Sequence, residues 1–223
     1  MHSTVQISAT VAILTALSAC GGAGGSALDQ YEARYEADLE KGVALFNTPG
    51  TAWNAMPANG SANYNGGAVI LIDRDDTNDL DDILILGDTD ITANFRAGTM
   101  TGTIDNMVGA TNITENDADI ADVTGEIEIG GSTSIVGDDE DDNFTNRPND
   151  WYADYYGNIG FNGDSYEVEG GINGQFVGTR ANPSNGQSPA RGIIGESDDG
   201  FATINGEYET NEAFVSLELY GEN

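Results

Sequence analysis

Positive charge is what this sequence has least of. Its 223 residues carry 7 Lys and Arg against 38 Asp and Glu, a formal net charge of -31. A surface of this charge repels the phosphate backbone of nucleic acids, so we expect no nucleic-acid partner. Two interpretations of the acidity stay open: a coat that provides hydration and solubility, or a surface that binds cations or basic partners.

Histidine and cysteine are almost absent. The chain has one His, His2, and one Cys, Cys20, both near its beginning. A single Cys excludes an internal disulfide framework. The chain beyond residue 20 has no His and no Cys, which excludes Ser-His-Asp and Cys-His catalysis there as well as zinc or haem bound by His. Tyr or Met could still ligate haem. We therefore predict that the protein is not an enzyme, with a two-carboxylate glycoside hydrolase as the remaining enzymatic alternative.

Long apolar segments are missing too. Residues 8–17 are mostly apolar but fall short of the roughly 20 residues that span a bilayer, which is typical of a secretory signal. They lead into Leu17-Ser18-Ala19-Cys20, which resembles the lipobox of bacterial lipoproteins. The resemblance implies that residues 1–19 are a cleaved signal peptide and that Cys20 becomes a lipidated first residue. Several acyl chains at one site give a stable membrane anchor.

Residues 20–26 are expected to comprise the lipidated Cys20 and a glycine-rich tether. A tether of this composition is flexible and lets a folded domain lie away from the membrane surface. The residue after Cys20 is Gly21. In lipoproteins of double-membraned bacteria, an Asp at this place retains the protein at the inner membrane. The resemblance therefore implies an outer-membrane, lipid-anchored protein that is exposed at the cell surface.

Residues 27–52 predict a helix and a linker. Ser26 can cap a short amphipathic helix over 27–41, and Gly42 is expected to end it. The residues expected to share its apolar face are Leu28, Tyr31, Tyr35 and Leu39. This face either docks a partner or covers an apolar edge of the next domain.

Residues 53–223 predict an all-β domain. Apolar and polar residues alternate in short runs such as 89–96, 123–129 and 213–220, and the 30 glycines follow no collagen period. In 89–96 the apolar face comprises Ile91, Ala93 and Phe95, and in 213–220 the residues expected to point inward are Ala213, Val215, Leu217 and Leu219. Asn162-Gly163 and Asn205-Gly206 have the composition of two-residue type I′ hairpin turns. The pattern predicts an antiparallel up-and-down β-barrel of about eight strands, with a sandwich as the alternative. A transmembrane barrel is disfavoured because acidic and amide side chains occupy one face of the strands.

Two segments carry candidate site residues. Asp73, Asp75 and Asp79 begin like a calcium-binding EF-hand loop, but the loop lacks the turn glycine and the final glutamate, so a weak Ca²⁺ site and a solvated loop stay open. A second acidic run at 138–142 has no ligand spacing. The aromatic residues after it, Trp151, Tyr152, Tyr155 and Tyr156, are candidates for a partner surface, with barrel packing as the alternative.

Several segments in order resemble the C-terminal β-barrel of transferrin-binding protein B, in its short single-barrel lipoprotein relatives. They are 56–66, 87–104, 173–178 and 190–195, which together sample the stretch from about 53 to 220. The resemblance implies a non-enzymatic surface lipoprotein that binds an extracellular protein, such as a haem carrier, or a cofactor. It assigns no binding residue, and the alternative is a structural acidic envelope lipoprotein without a dedicated ligand.

Overall fold

The computed structural model describes residues 27–52, 55–74, 80–114, 117–131, 134–137, 149–178, 190–206 and 212–223, with backbone alone at Asp198 and Glu212. These residues form one helix, α1 (Ala27–Phe46), and ten strands. The strands are β1 (Ser61–Asp73), β2 (Ile83–Asn94), β3 (Thr99–Thr111), β4 (Asp119–Asp122), β5 (Thr124–Gly130), β6 (Ile135–Val136), β7 (Asp150–Phe161), β8 (Asp164–Val177), β9 (Gly192–Ile204) and β10 (Glu212–Glu222).

Eight of these strands close into an antiparallel barrel. Their order is β2-β1-β10-β9-β8-β7-β5-β3, and β3 pairs back with β2. The short strands β4 and β6 extend the wall by pairing with β3 and β7. The predicted all-β, up-and-down barrel of about eight strands is therefore confirmed, and the sandwich alternative is wrong. Closure leaves none of these eight strands as an open edge.

Alternation along the strands separates the core from the outer wall. In β10 the predicted inward set, Ala213, Val215, Leu217 and Leu219, is buried in the barrel core. This strand pairs with β1, for example Leu219 opposite Ala68, and so joins the end of the chain to the first strand. In β2, Ile91 and Ala93 are buried, as the alternation in 89–96 predicts. The strand itself begins at Ile83, six residues before that run.

Large aromatic side chains fill the barrel interior, and glycines make room for them. Trp151 is 3% exposed and lies against Gly174 and Gly195. A Cβ at Gly174 would stand 2.1 Å from the indole Cε2 atom, and one at Gly195 would stand 2.7 Å from Cη2. Such distances are steric overlaps, so part of the high glycine content is explained by close packing beside bulky core residues.

The two Asn-Gly turns have different outcomes. Asn162 and Gly163 both have positive φ and join β7 to β8 directly, with Phe161 opposite Asp164, so this two-residue hairpin is confirmed. Asn205 and Gly206 also have positive φ. However, β9 ends at Ile204 and β10 begins at Glu212, so this connection is longer than the two residues that the pair predicts.

Helix α1 lies across the outside of the barrel and is longer than predicted. It continues through Gly42 to Phe46, because the last turn is packed: Leu45 is 2% exposed, and Tyr220 of the barrel wall lies against Gly42. A glycine inside a helix is tolerated where tertiary contacts hold the backbone. Tyr31 is buried as predicted, whereas Leu28 and Leu39 are only half-buried. The described helical residues contain no stretch long and apolar enough to cross a bilayer.

Candidate functional site

The four aromatic residues predicted as a partner surface alternate between the inside and the outside of β7. Trp151 and Tyr155 are 3% and 1% exposed and belong to the barrel core. Tyr152 and Tyr156 point outward, Tyr152 half-buried and Tyr156 51% exposed. Successive side chains of a strand point to opposite faces, so the cluster divides into a structural pair and an accessible pair.

Hydrogen bonds to carboxylates hold both outward tyrosines. The Tyr152 hydroxyl donates to Asp154 Oδ1 at 2.5 Å, and this bond, with burial second, raises the pKa of Tyr152 to about 12. The Tyr156 hydroxyl donates to Glu128 on β5, which raises the pKa of Tyr156. Each hydroxyl therefore keeps its proton to a higher pH than a free tyrosine does, and each bond links its ring to a neighbouring carboxylate.

Strand register extends this face into a row of side chains across four strands. Tyr156 of β7 lies opposite Glu169 of β8, Glu169 lies opposite Phe201 of β9, and Phe201 lies opposite Phe214 of β10. Directly opposed residues have Cβ atoms about 5 Å apart, so these four residues are neighbours. We call the three rings and the intervening Glu169 the aromatic row. Phe201 is 41% exposed and Phe214 is 67% exposed.

The surroundings of the aromatic row are acidic. Strands β7 to β10 contain no Lys or Arg. Outward carboxylates accompany the rings at Glu128, Asp154 and Glu167, and Asp199 is exposed where the β9–β10 register shifts between Val215 and Leu217. The site is therefore a wall of apolar rings set among negative charges, carried by a rigid sheet.

The opposite part of the outer wall is covered by α1. Outward apolar side chains of the barrel pack with Tyr31 and Tyr35 in one cluster: Val69, Leu84, Leu86, Val108, Ala110 and Ile120. The Tyr31 hydroxyl donates to the Leu84 carbonyl at 2.7 Å. We call this surface the helix-covered wall.

Polar contacts fix the helix in place along its length. Arg34 donates to Asp88 Oδ1 at 2.8 Å and to the Asn106 carbonyl at 3.0 Å. Further along, the Tyr220 hydroxyl donates to Asp38 Oδ1 at 2.7 Å. Burial, and then this bond, raise the pKa of Tyr220 above its usual range. The amphipathic face of the helix is therefore occupied by the barrel itself.

The candidate calcium loop is described only at its start. Asp73 is the last residue of β1, while Asp75 and Asp79 lie outside the described residues, as does the whole acidic run at 138–142. Within the part of the chain that the structure describes, no cluster of three or more His, Cys, Asp or Glu side chains could hold a metal ion. Cys20 and its tether also lie outside the described residues. The lipidation and calcium hypotheses therefore stay predictions.

Sequence reasoning missed Phe201 and Phe214. Phe214 was open to prediction, because it lies between Ala213 and Val215, both assigned inward, and alternation then points it outward. Phe201 carried no such signal between Gly200 and Ala202, and its place beside Glu169 follows only from the register. Comparison of the chain with protein-family models, with curated proteins and with solved structures finds no match.

Proposed function

We propose that this protein is a lipid-anchored lipoprotein of the outer membrane, exposed at the cell surface, and that it acts as a non-enzymatic binding module for an extracellular protein or cofactor. The lipobox-like segment ending at Cys20 supports the anchor. The absence of His and Cys from residues 21–223 supports a role without catalysis. The ordered segments that resemble the transferrin-binding protein B barrel are consistent with this role.

The observation that carries the binding role is the aromatic row. Single exposed apolar residues are common, but adjacent exposed rings on a rigid scaffold are typical of interaction sites. Phe201 and Phe214 lie directly opposite each other on the adjacent strands β9 and β10, and both side chains are exposed. Aromatic residues are enriched at protein interfaces because they bury a large area at a small entropic cost.

A structural role is the second candidate, and the acidity favours it. A net charge of -31 keeps a surface hydrated and repels copies of the same protein. An envelope protein of this kind needs no dedicated ligand, and its exposed rings would carry no function. The two candidates differ in what happens when the rings are removed.

The anchor is tested by Cys20→Ser in a double-membraned bacterium. We expect the variant to lose incorporation of a labelled fatty acid and to accumulate as uncleaved or unanchored protein, because the thiol is the acylated group. Protease treatment of intact cells should degrade the wild-type protein if it is surface-exposed. Acyl labelling of the variant at the wild-type level contradicts the lipoprotein proposal.

The binding role is tested on cells that display the full chain. Cells are incubated with extracellular proteins and with haem, and the bound ligand is compared between the wild type and the double variant Phe201→Ser/Phe214→Ser. The control is Val43→Ser, since Val43 is a 39% exposed apolar residue on α1, away from the row. Ligand lost from the double variant alone supports the binding role. Equal capture by all three chains would mean that the ligand binds outside the aromatic row, and no capture by any of them supports the structural alternative.

A further inference from the structure

The aromatic row is accessible to a partner only through its side chains. Each of the strands β7 to β10 is paired on both sides, β7 with β5 and β8, and β10 with β9 and β1. A partner therefore cannot bind by adding a strand, since that mode needs an open edge with free backbone groups. Recognition at this surface has to come from what the outward residues can contact.

The row places one carboxylate between two rings and then a second Phe ring beside the first, all at the spacing of neighbouring strands. Glu169 stands between Tyr156 and Phe201 on adjacent strands, and Tyr156 is itself bonded to Glu128. Neighbouring strands lie about 4.8 Å apart, so the row from Tyr156 to Phe214 spans roughly 14 Å. That length matches a few residues of a partner chain and offers it two kinds of contact in turn.

The charge of this wall selects the sign of the partner. No Lys or Arg lies within β7 to β10. Among the described residues, Arg34 and Lys41 are on α1, and Arg96 lies between β2 and β3. Two arginines reach the margins of this wall, where each is paired with a carboxylate: Arg74 with Asp164 at 3.9 Å and Arg191 with Glu222 at 3.3 Å. An acidic partner would be repelled, whereas a cation placed beside Glu169 is attracted both by the carboxylate and by the faces of the adjacent rings. Arginine suits both contacts, because its planar guanidinium stacks on rings and bonds to carboxylates.

We infer that the aromatic row docks a basic segment of another protein, in which Arg or Lys side chains alternate with apolar ones. This inference rests on the proposed binding role and names the chemistry of the partner. The apolar side chains cover Phe201 and Phe214, and the cations lie against Glu169 and the carboxylates beside it. The net charge of -31 accelerates the encounter with such a segment.

The test uses the full lipidated chain in non-ionic detergent and three labelled synthetic peptides. The first alternates Arg with Leu, the second replaces every Arg by Glu, and the third replaces every Leu by Ser. Fluorescence anisotropy gives the affinity of each peptide, and any uptake by the micelle is common to all protein variants. We expect the Arg-Leu peptide to bind most tightly and the Glu-Leu peptide not to bind.

Variants separate docking at the row from general attraction to an acidic protein. Phe201→Ser/Phe214→Ser should weaken binding of the Arg-Leu peptide about tenfold, which corresponds to about 1.4 kcal/mol, because both rings lose their contact with the apolar side chains of the peptide. Glu169→Gln should weaken it a few-fold. The matched controls on α1 are Val43→Ser for exposed apolar surface and Glu36→Gln for an exposed acid, and neither should change the affinity. Far-ultraviolet circular dichroism and melting curves verify that each variant is folded.

Salt separates the two parts of the interaction. At about 1 M salt, where the Debye length is about 3 Å, binding of the Arg-Ser peptide should vanish, while the Arg-Leu peptide should retain weak binding that depends on the two Phe rings. Equal affinity of the Arg-Leu peptide for wild type and double variant overturns the inference, as does equal binding of the Glu-Leu peptide. Cells could still capture an extracellular ligand through the aromatic row while the Arg-Leu peptide does not bind there. In that case the proposed binding role stands, and only the inference that the partner is positively charged is wrong.

Discussion

Val69, Leu84 and Val108 point outward from the barrel and lie beneath α1, whereas Phe201 and Phe214 point outward from the same barrel into solvent. Both groups break the rule that outward strand positions are polar. On the helix-covered wall, helix α1 of the same chain covers these residues. The Tyr31 hydroxyl holds the helix in place by donating a hydrogen bond to the Leu84 carbonyl. The end of α1 also packs on the far end of β8 to β10, where Leu45 contacts Val177 and Tyr220. Around Phe201 and Phe214, at the other end of β9 and β10, the described residues supply no such cover, and both rings stay exposed.

The comparison shows why outward apolar residues cannot be interpreted from their position alone. A Leu under a helix contributes to folding, because its area is removed from water in the folded state itself. An exposed Phe contributes little until something else covers it. The same residue class therefore stabilises the fold on one wall and is available for binding on the other.

The largest expected effect contrasts the two walls directly. Tyr31→Ala removes a 4% exposed ring and its hydrogen bond, and should lower the free energy of unfolding by about 3 kcal/mol, as for other buried aromatics. Phe214→Ala removes a 67% exposed ring and should change it by less than about 0.5 kcal/mol. Urea denaturation of both variants measures the difference. Similar losses in the two variants would mean that the walls do not differ as the packing indicates.

A second, smaller effect sharpens the comparison through pH. Burial raises the pKa of both Tyr31 and Tyr220, with the bond to Asp38 adding to the shift at Tyr220, whereas an unfolded tyrosine ionises near 10.0. Above that pH the unfolded chain releases these protons and the folded chain keeps them. The contribution of these two tyrosines to the free energy of unfolding should therefore be fully present below about pH 10. It should fall as the pH rises further, by at most about 1.4 kcal/mol per pH unit for each tyrosine.

Tyr220→Phe isolates one of these contributions. It keeps the ring against α1 but has no hydroxyl to ionise, so the alkaline loss should become shallower by up to about 1.4 kcal/mol per pH unit. Melting temperatures at several pH values from about 9 to 12 follow the slope. An identical slope in both proteins would show that Tyr220 loses no stabilising contact on ionisation.

The smallest effect concerns the polar clamp of the helix. Arg34→Ala removes the bonds to Asp88 and to the Asn106 carbonyl, but Arg34 is 25% exposed and Asp88 is 54% exposed. Solvent screens such a pair, so the expected loss is about 1 kcal/mol or less. Amide hydrogen exchange should show faster opening of α1 with little change in β7 to β10. A loss as large as that of Tyr31→Ala would mean that the clamp, and not apolar burial, holds the helix.

Much of the barrel was predictable because its signals are local. The alternation in 213–220 and the Asn162-Gly163 turn need only neighbouring residues, and the structure confirms both. The end of α1 was predicted wrongly because it depends on a distant contact: Tyr220 packs against Gly42, and the helix continues. The aromatic cluster could have been divided, since Trp151 and Tyr155 share the parity of the apolar Ile159 and Phe161.

By itself the sequence determined the fold class, the inward faces of the strands and the near absence of positive charge, since each follows from residue type and a period of two. Only the tertiary structure decided which outward residues meet. Tyr156, Glu169, Phe201 and Phe214 come from four strands and are brought into one row by the register of three strand pairs. The Asn162-Gly163 turn sets the register of β7 with β8 locally. The pairs of β8 with β9 and of β9 with β10 each contain a register shift, and no local pattern in the sequence predicts where these shifts fall. The helix-covered wall has the same origin, because the path of α1 over the barrel is set by long-range contacts such as Tyr31 with Leu84 and Tyr220 with Asp38.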